Sequence, residues 1–321
     1  MDELKSTIKS KRPNIKDSSL NMYIRNLRKL NKEIGDSENE ASLKILKDKS
    51  KVDKFLDTKA KSTKKNYYAT IVVLLMTEGD EHKALIDKYR VEMEDLDNSL
   101  KEKQKTQEKS EKQKQNWASL EDLQKVMKNY KRQIDVKGLL QKPKDKLTPK
   151  EFDLLQKWVI TSLYVLDPEN NPPLRSDYSM KIINSKYYNE LSESQLKENY
   201  LVIRGQNKKF FHLGEFKTQG KFDNKVIPVG KKLNTVLNKW LKVNPTNFLL
   251  FNRSGQMMTA NQLTKSVKSA FSPLEKNGLG ISMIRHIVIS TLFPPQNEEK
   301  AELADLMLHS VEQQTNVYSK K

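Results

Sequence analysis

Cysteine is absent from the 321-residue chain, which excludes disulfide scaffolds, thiolate metal sites and cysteine nucleophiles. Histidine is scarce: His82, His212, His286 and His309 are scattered, and no two stand at the spacing of a zinc site. Metal catalysis has little support, and no cofactor is expected. The opening stretch MDELKSTIKSKRP lacks the apolar core of a signal peptide, and no uninterrupted apolar run is long enough to cross a bilayer. A soluble intracellular protein without a membrane partner is therefore expected. Acidic residues are also in deficit, with 41 Asp plus Glu against 59 Lys plus Arg, a formal charge of +18. That imbalance favours a polyanionic partner, nucleic acid first, over the plain alternative of a solvated Lys-rich surface.

The length suits two domains, each with its own core. Residues 17–35 form an amphipathic helix pattern, with Asp17 or Ser18 as N-cap and Gly35 as stop. Its apolar stripe is Leu20, Tyr23, Ile24, Leu27 and Leu30, and Arg25, Arg28, Lys29 and Lys32 lie opposite. A shorter helical stretch runs from about Leu43 to Leu56. The segment KSTKKNYYATIVVLLMTEG then repeats the design, with Ser62 or Thr63 capping, Lys64 and Lys65 in its first turn and Gly79 closing. From Ile86 a narrow apolar seam of Tyr89, Met93, Leu96 and Leu100 follows, and it ends where KEKQKTQEKSEKQKQNW begins. Nothing apolar holds that stretch on a core, so it reads as a solvated helix or tether. The division is a basic helical domain over 1–95, a charged helical linker over 96–116 and a second domain over 117–321.

In the second half, Thr148-Pro149-Lys150-Glu151 combines a capping box with proline at the first helical position. Trp158, Val159, Leu163 and Leu166 give this helix a buried face, and DPENNPP must end it. YLVIRG, KKFFHLGEF and NKVIPV have the composition and length of strands, for which a small antiparallel sheet is the simplest arrangement. After Gly230 the pattern returns to helices, one ending near Asn244, one after Thr259, one from Ile281 to Phe293 and two short ones to the end. The chain is thus mainly α with a small antiparallel sheet, an α+β second domain behind a helical first one.

Three segments carry candidate chemistry: Arg175 in NPPLRSDYSMKI, Arg285 in GISMIRHIVISTLF, and His309 with Tyr318 in LADLMLHSVEQQTNVYSKK. Singly each has a bland reading. Arg175 is then a helix-terminal charge, His309 a structural histidine and Tyr318 part of a frayed tail. Arg285 is the more unusual, because its neighbours Ile284, Ile287 and Ile289 are apolar and an unpaired guanidinium is costly to bury.

In order and spacing these residues resemble the tyrosine recombinases. In that family a first arginine follows a helix in a Leu-Arg context, a second lies in a His-x-x-Arg box, and the tyrosine follows a His or Trp by nine residues. Here 318 − 309 gives the same step, and Arg285 precedes His309 by 24 residues (309 − 285). The resemblance covers about Arg175 to Tyr318, while the N-terminal part resembles the family's core-binding domain in layout only. It departs at the head of the box, where Ser282 stands in place of His; serine donates a hydrogen bond but carries no charge. His286, one residue past Arg285, is expected to point elsewhere on the helix.

The resemblance implies a two-domain DNA clamp in which Tyr318 attacks a phosphodiester, leaving a 3′-phosphotyrosyl link and a free 5′-hydroxyl. Two guanidinium forks would grip the non-bridging oxygens, and His309 would add a hydrogen bond as charge develops. The family's general acid is a lysine on a sheet turn. Lys217 in GEFKTQGKFDNKVIPV occupies that place, with Lys221 and Lys225 as competitors. The partner implied is double-stranded DNA, with homo-tetramers joining two sites. Arg25, Arg28, Lys29, Lys64, Lys65 and Lys221 are candidate DNA contacts. Two alternatives stand beside this reading. One is a type IB topoisomerase, to which the shortness of the tail after Tyr318 speaks (Ser319, Lys320 and Lys321). The other is a DNA-binding protein that keeps the fold with impaired catalysis, which Ser282 suggests. The Lys, Asn and Ile usage is compatible with an AT-rich viral or mobile element, and localisation with DNA in cytoplasm or nucleus.

Overall fold

The computed structural model describes residues 1–35, 39–217 and 224–292, together with Met307 and Val317. The chain divides into two compact units, Met1–Thr106 and Gln107–Lys321. Among the described residues no helix is long and apolar enough to cross a membrane, and no group of His, Asp and Glu has metal-site geometry.

The first unit is helical: α1 (Asp2–Lys11), α2 (Asp17–Ile34), α3 (Lys49–Leu56), α4 (Lys61–Leu75) and α5 (Lys83–Lys105). Gly35 stops α2 as its sequence requires, but the N-cap positions are Lys16 for α2 and Ala60 for α4, so the expected Asp17/Ser18 and Ser62/Thr63 caps fall inside the first turns. The stripe of Leu20, Ile24, Leu27 and Leu30 packs with Ile71, Leu74 and Leu75 of α4 and Ile86 and Tyr89 of α5. Buried Tyr89 donates its hydroxyl to the Leu46 carbonyl at 2.9 Å, the partner that its burial demands.

The second unit begins with a six-residue helix, α6 (Glu111–Asn116), then α7 (Leu120–Val136) and α8 (Pro149–Val165). α7 has a clear signature, Ser119 as N-cap and Leu123, Val126, Met127, Tyr130 and Ile134 buried at helical spacing. α8 starts with the Thr148/Glu151 capping box and proline in its first turn, as the sequence predicts. Glu151 accepts the Thr148 backbone N–H and also meets Lys142, which together hold its carboxyl down at about 2.

The sheet is small and mixed, which corrects the antiparallel expectation. Its order is β1 (Lys181–Asn184), β2 (Asn199–Gly205), β3 (Lys208–Leu213), β4 (Lys225–Pro228). β2, β3 and β4 are antiparallel neighbours, with Leu201 opposite Phe211 and Phe211 opposite Ile227. β1 adds parallel to β2, Ile182 facing Leu201. Parallel pairing needs a crossover, and the chain supplies it through α9 (Ser185–Asn189) and a 3₁₀ turn at Gln195–Lys197. Four residues with no period-2 alternation left β1 without a sequence signal.

α10 (Lys231–Val243), α11 (Ala260–Ala270) and α12 (Ile281–Leu292) complete the described fold. Trp240 of α10, Val267 of α11 and Ile284, Ile287 and Val288 of α12 join α7, α8 and the inner sheet face in one core. α12 is buried nearly all round, Met283 through Ile289 without interruption, so whatever it presents to solvent comes from its first turn and from one edge.

Candidate active site

Arg175 lies just after the loop that ends α8. Tyr164 of α8 donates its hydroxyl to the Arg175 carbonyl at 2.7 Å, and Tyr178 donates to the Leu163 carbonyl at 3.1 Å. Burial pushes both phenols well above their ordinary range, which favours the neutral, donating form. The Asp177 carboxylate accepts the Arg175 backbone N–H at 3.2 Å. Burial raises the Asp177 carboxyl, and the nearby charges of Arg175 and Arg285 oppose that shift in part.

Arg285 is 1% exposed. Its Nη1 donates to the Pro173 carbonyl and its Nη2 to the Met307 carbonyl at 3.3 Å. The guanidinium thus joins α12 to the Arg175 loop on one side and to the C-terminal segment on the other. Met307 also packs on Ile289 of α12, and Val317 packs on the same pair.

Lys217 follows β3. Gly214 passes the 196–198 segment so closely that a Cβ there would lie 2.1 Å from the Leu196 carbonyl oxygen, which only glycine permits. Asn199 then clips two parts of the site together. Its Oδ1 accepts from the Gly214 and Glu215 amides at 3.0 and 2.8 Å, and its Nδ2 donates to the Glu215 carbonyl at 2.9 Å and the Asp177 carbonyl at 3.3 Å.

Arg175, Lys217, Ser282 and Arg285 line one cavity of about 640 Å³. They span 110 positions (285 − 175), and the fold brings all four together. Further titratable side chains in the lining are Lys112 of α6, Lys268 of α11 and His286. Among the described residues no carboxylate is part of that lining, so the cavity is a cationic one suited to a phosphate-bearing ligand. His286 does not point away as expected. Ser282, Arg285 and His286 stand at i, i+3 and i+4, one stripe of α12, and that spacing was readable in the sequence. Lys112 and Lys268 had no local signal, being placed by tertiary packing alone. A larger groove of about 1010 Å³, beside the first turn of α8 and the far face of α11, contains none of the sequence-selected residues.

His309, Tyr318 and Lys221 lie outside the described residues. In the first unit Arg25, Arg28 and Lys29 are exposed on α2, with Arg28 Nε 3.2 Å from Glu40. Lys64 meets Asp57 at 2.9 Å and Lys65 pairs with Asp97, so with Arg28 three of these candidate DNA contacts already engage carboxylates of their own unit.

Compared with known families and curated proteins, the chain matches no family model and no curated sequence.

Proposed function

We propose that the protein is a DNA strand transferase of the tyrosine recombinase type, acting on double-stranded DNA through a covalent 3′-phosphotyrosyl intermediate. The observation that carries this reading is the gathering of Arg175, Lys217, Ser282 and Arg285 around one cationic cavity. They were selected from the sequence through its resemblance to the tyrosine recombinases, before any geometry, and come from a loop, a post-strand segment and a buried helix. Met307, two residues before His309, and Val317, the residue before Tyr318, both pack on α12 beyond Arg285. That anchoring supports a C-terminal segment tied to the helix of the site.

In the proposed reaction the Tyr318 oxygen forms a bond to phosphorus and its proton passes to solvent. The bond from phosphorus to the 5′-oxygen breaks, and Lys217 gives that oxygen a proton. Arg175 and Arg285 hold the non-bridging oxygens with geometry that a lysine point charge lacks, and His309 adds a donor as charge builds. A 5′-hydroxyl of the same or a partner strand reverses the sequence, so no nucleotide or metal is consumed. Joining two duplexes implies a tetramer, and integration or resolution of a mobile element is the proposed use.

The test is a nicked duplex that traps the covalent intermediate. Wild type forms a protein–DNA adduct and Tyr318→Phe does not; absence of the adduct from wild type defeats the catalytic reading. A second duplex then separates strand exchange from relaxation by a type IB topoisomerase. Duplex binding without an adduct would identify a DNA-binding protein on this fold, the alternative that Ser282 favours.

A further inference from the structure

We infer that α6 is a wall of the site rather than a tether, and that its Lys112, together with Lys268 of α11, holds a second DNA phosphate beside the one to be cleaved. This rests on the function proposed above and adds to it a binding element from the segment that composition reads as solvated linker.

Residues 107–117 are built, not loose. Gln107 is buried in a left-handed conformation, φ 57°, a cost that surrounding contacts must offset. The Lys109 ammonium stands 4.4 Å over the Trp117 ring, and Trp117 packs on the core of the second unit. Ser110 and Gln113 form a reciprocal capping box. The far end of α6 is fastened to the loop that precedes α12: the Gly278 amide donates to Asn116 Oδ1, and Lys276 Nζ reaches the Gln115 carbonyl at 3.3 Å. Asn116 Nδ2 turns back to the Lys112 carbonyl at 2.8 Å, so one amide side chain links the loop to the backbone of the lysine. Gly278 makes this possible, since a Cβ there would lie 2.7 Å from Asn116 Cγ.

Lys268 is also held close to that loop. The Lys268 stem runs along Gly280, whose added Cβ would be 3.3 Å from Lys268 Cε. Lys112 and Lys268 therefore bring two cations to the cavity rim from elements unrelated to Arg175, Lys217 and Arg285. A single phosphate has no need of so many cations; a polymer that offers phosphates in series does. Neighbouring Lys114 provides an internal contrast, because it pairs with Glu111 at 2.8 Å and is not part of the lining.

The test is the salt dependence of duplex binding by the full chain, read by fluorescence anisotropy with an ordinary unnicked duplex. Removing one cation from a phosphate reduces the slope of log K against log salt by about 0.9. Lys112→Gln and Lys268→Gln are each expected to lower it by about that amount, and Lys114→Gln to leave it unchanged. Gly278→Ala displaces only the end of the Asn116 side chain, so the variant should melt like wild type yet bind like Lys112→Gln. Combining it with Lys112→Gln should weaken binding no further. A slope for Lys112→Gln equal to that for Lys114→Gln overturns the inference. The proposed function fails separately: duplex binding with the expected slopes but no covalent adduct removes the chemistry and leaves this wall in place, whereas no binding of duplex by wild type removes both.

Discussion

Arg285→Lys tests whether the buried guanidinium is a strut, a phosphate clamp, or both. Nη1 and Nη2 reach different carbonyls, of Pro173 and Met307, at a position 1% exposed. A single lysine nitrogen keeps the charge but has no fork to reach both sides. One buried carbonyl is then left without its donor, a loss of about 1–3 kcal/mol. For a unit of this size each kcal/mol lowers Tm by about 2–4 °C, so a fall of about 2–12 °C is expected in a thermal melt. Because the charge remains, the salt slope for duplex binding should hardly change. The rate of adduct formation should fall by about 10²–10³-fold, the usual effect of removing one aligned donor from a developing anion. Adduct formation at the wild-type rate, together with the expected loss of Tm, would make Arg285 a strut only. An unchanged Tm would refute the reasoning about its two carbonyl partners.

Replacing Lys217 with methionine should abolish adduct formation on ordinary DNA and restore it on a substrate whose leaving 5′-oxygen is replaced by sulfur, which departs without a proton; Lys221→Met should behave as wild type on both, and the reverse pattern would move the general acid to Lys221. Asn199→Ala removes the hydrogen bonds that tie the Asp177 backbone to Gly214 and Glu215; adduct formation should slow at saturating DNA with little change in binding, and an unaltered rate would show that the clip does not position Lys217. The Asp177 carboxyl is raised by burial, so above its ordinary value of 3.8 the folded state holds a proton that the unfolded state has released. Stability should therefore fall as pH rises through that window, and Asp177→Asn should flatten urea midpoints measured from about pH 4 upward; a parallel pH dependence in the two proteins would contradict the shift.

Helix α8 was legible because its first turn states its own geometry: threonine, proline and glutamate at fixed offsets can satisfy the free amides of a helix start and little else. β2, β3 and β4 were legible from β-branched and aromatic runs between turn residues. β1 was not, since a four-residue edge strand takes its identity from the neighbour it pairs with. The stretch with α6 was read as a solvated helix or tether, and α6 is a helix without a buried side chain. Its attachments had no sequence signal, because hydropathy detects burial of carbon and they are amide and carbonyl contacts through Asn116 and Gln115. At the site, Arg175, Lys217, Ser282 and Arg285 could be chosen because their order along the chain resembles that of the tyrosine recombinases. His286 was passed over although i, i+4 spacing from Ser282 set it on the same stripe. Lys112 and Lys268 depend on how α6 and α11 pack, which no local window contains.

The two sides of the cavity differ in what it takes to move them. α12 lies inside the core from Met283 to Ile289, so its amides should exchange with solvent only through global unfolding, and the arginine it carries is fixed on every shorter timescale. α6 is six residues long and is held at its ends by polar contacts, so its amides should exchange through a smaller opening than those of α12. In the proposed complex with DNA, the wall that carries Lys112 is then the part of the site whose order binding can raise, while Arg285 needs no rearrangement.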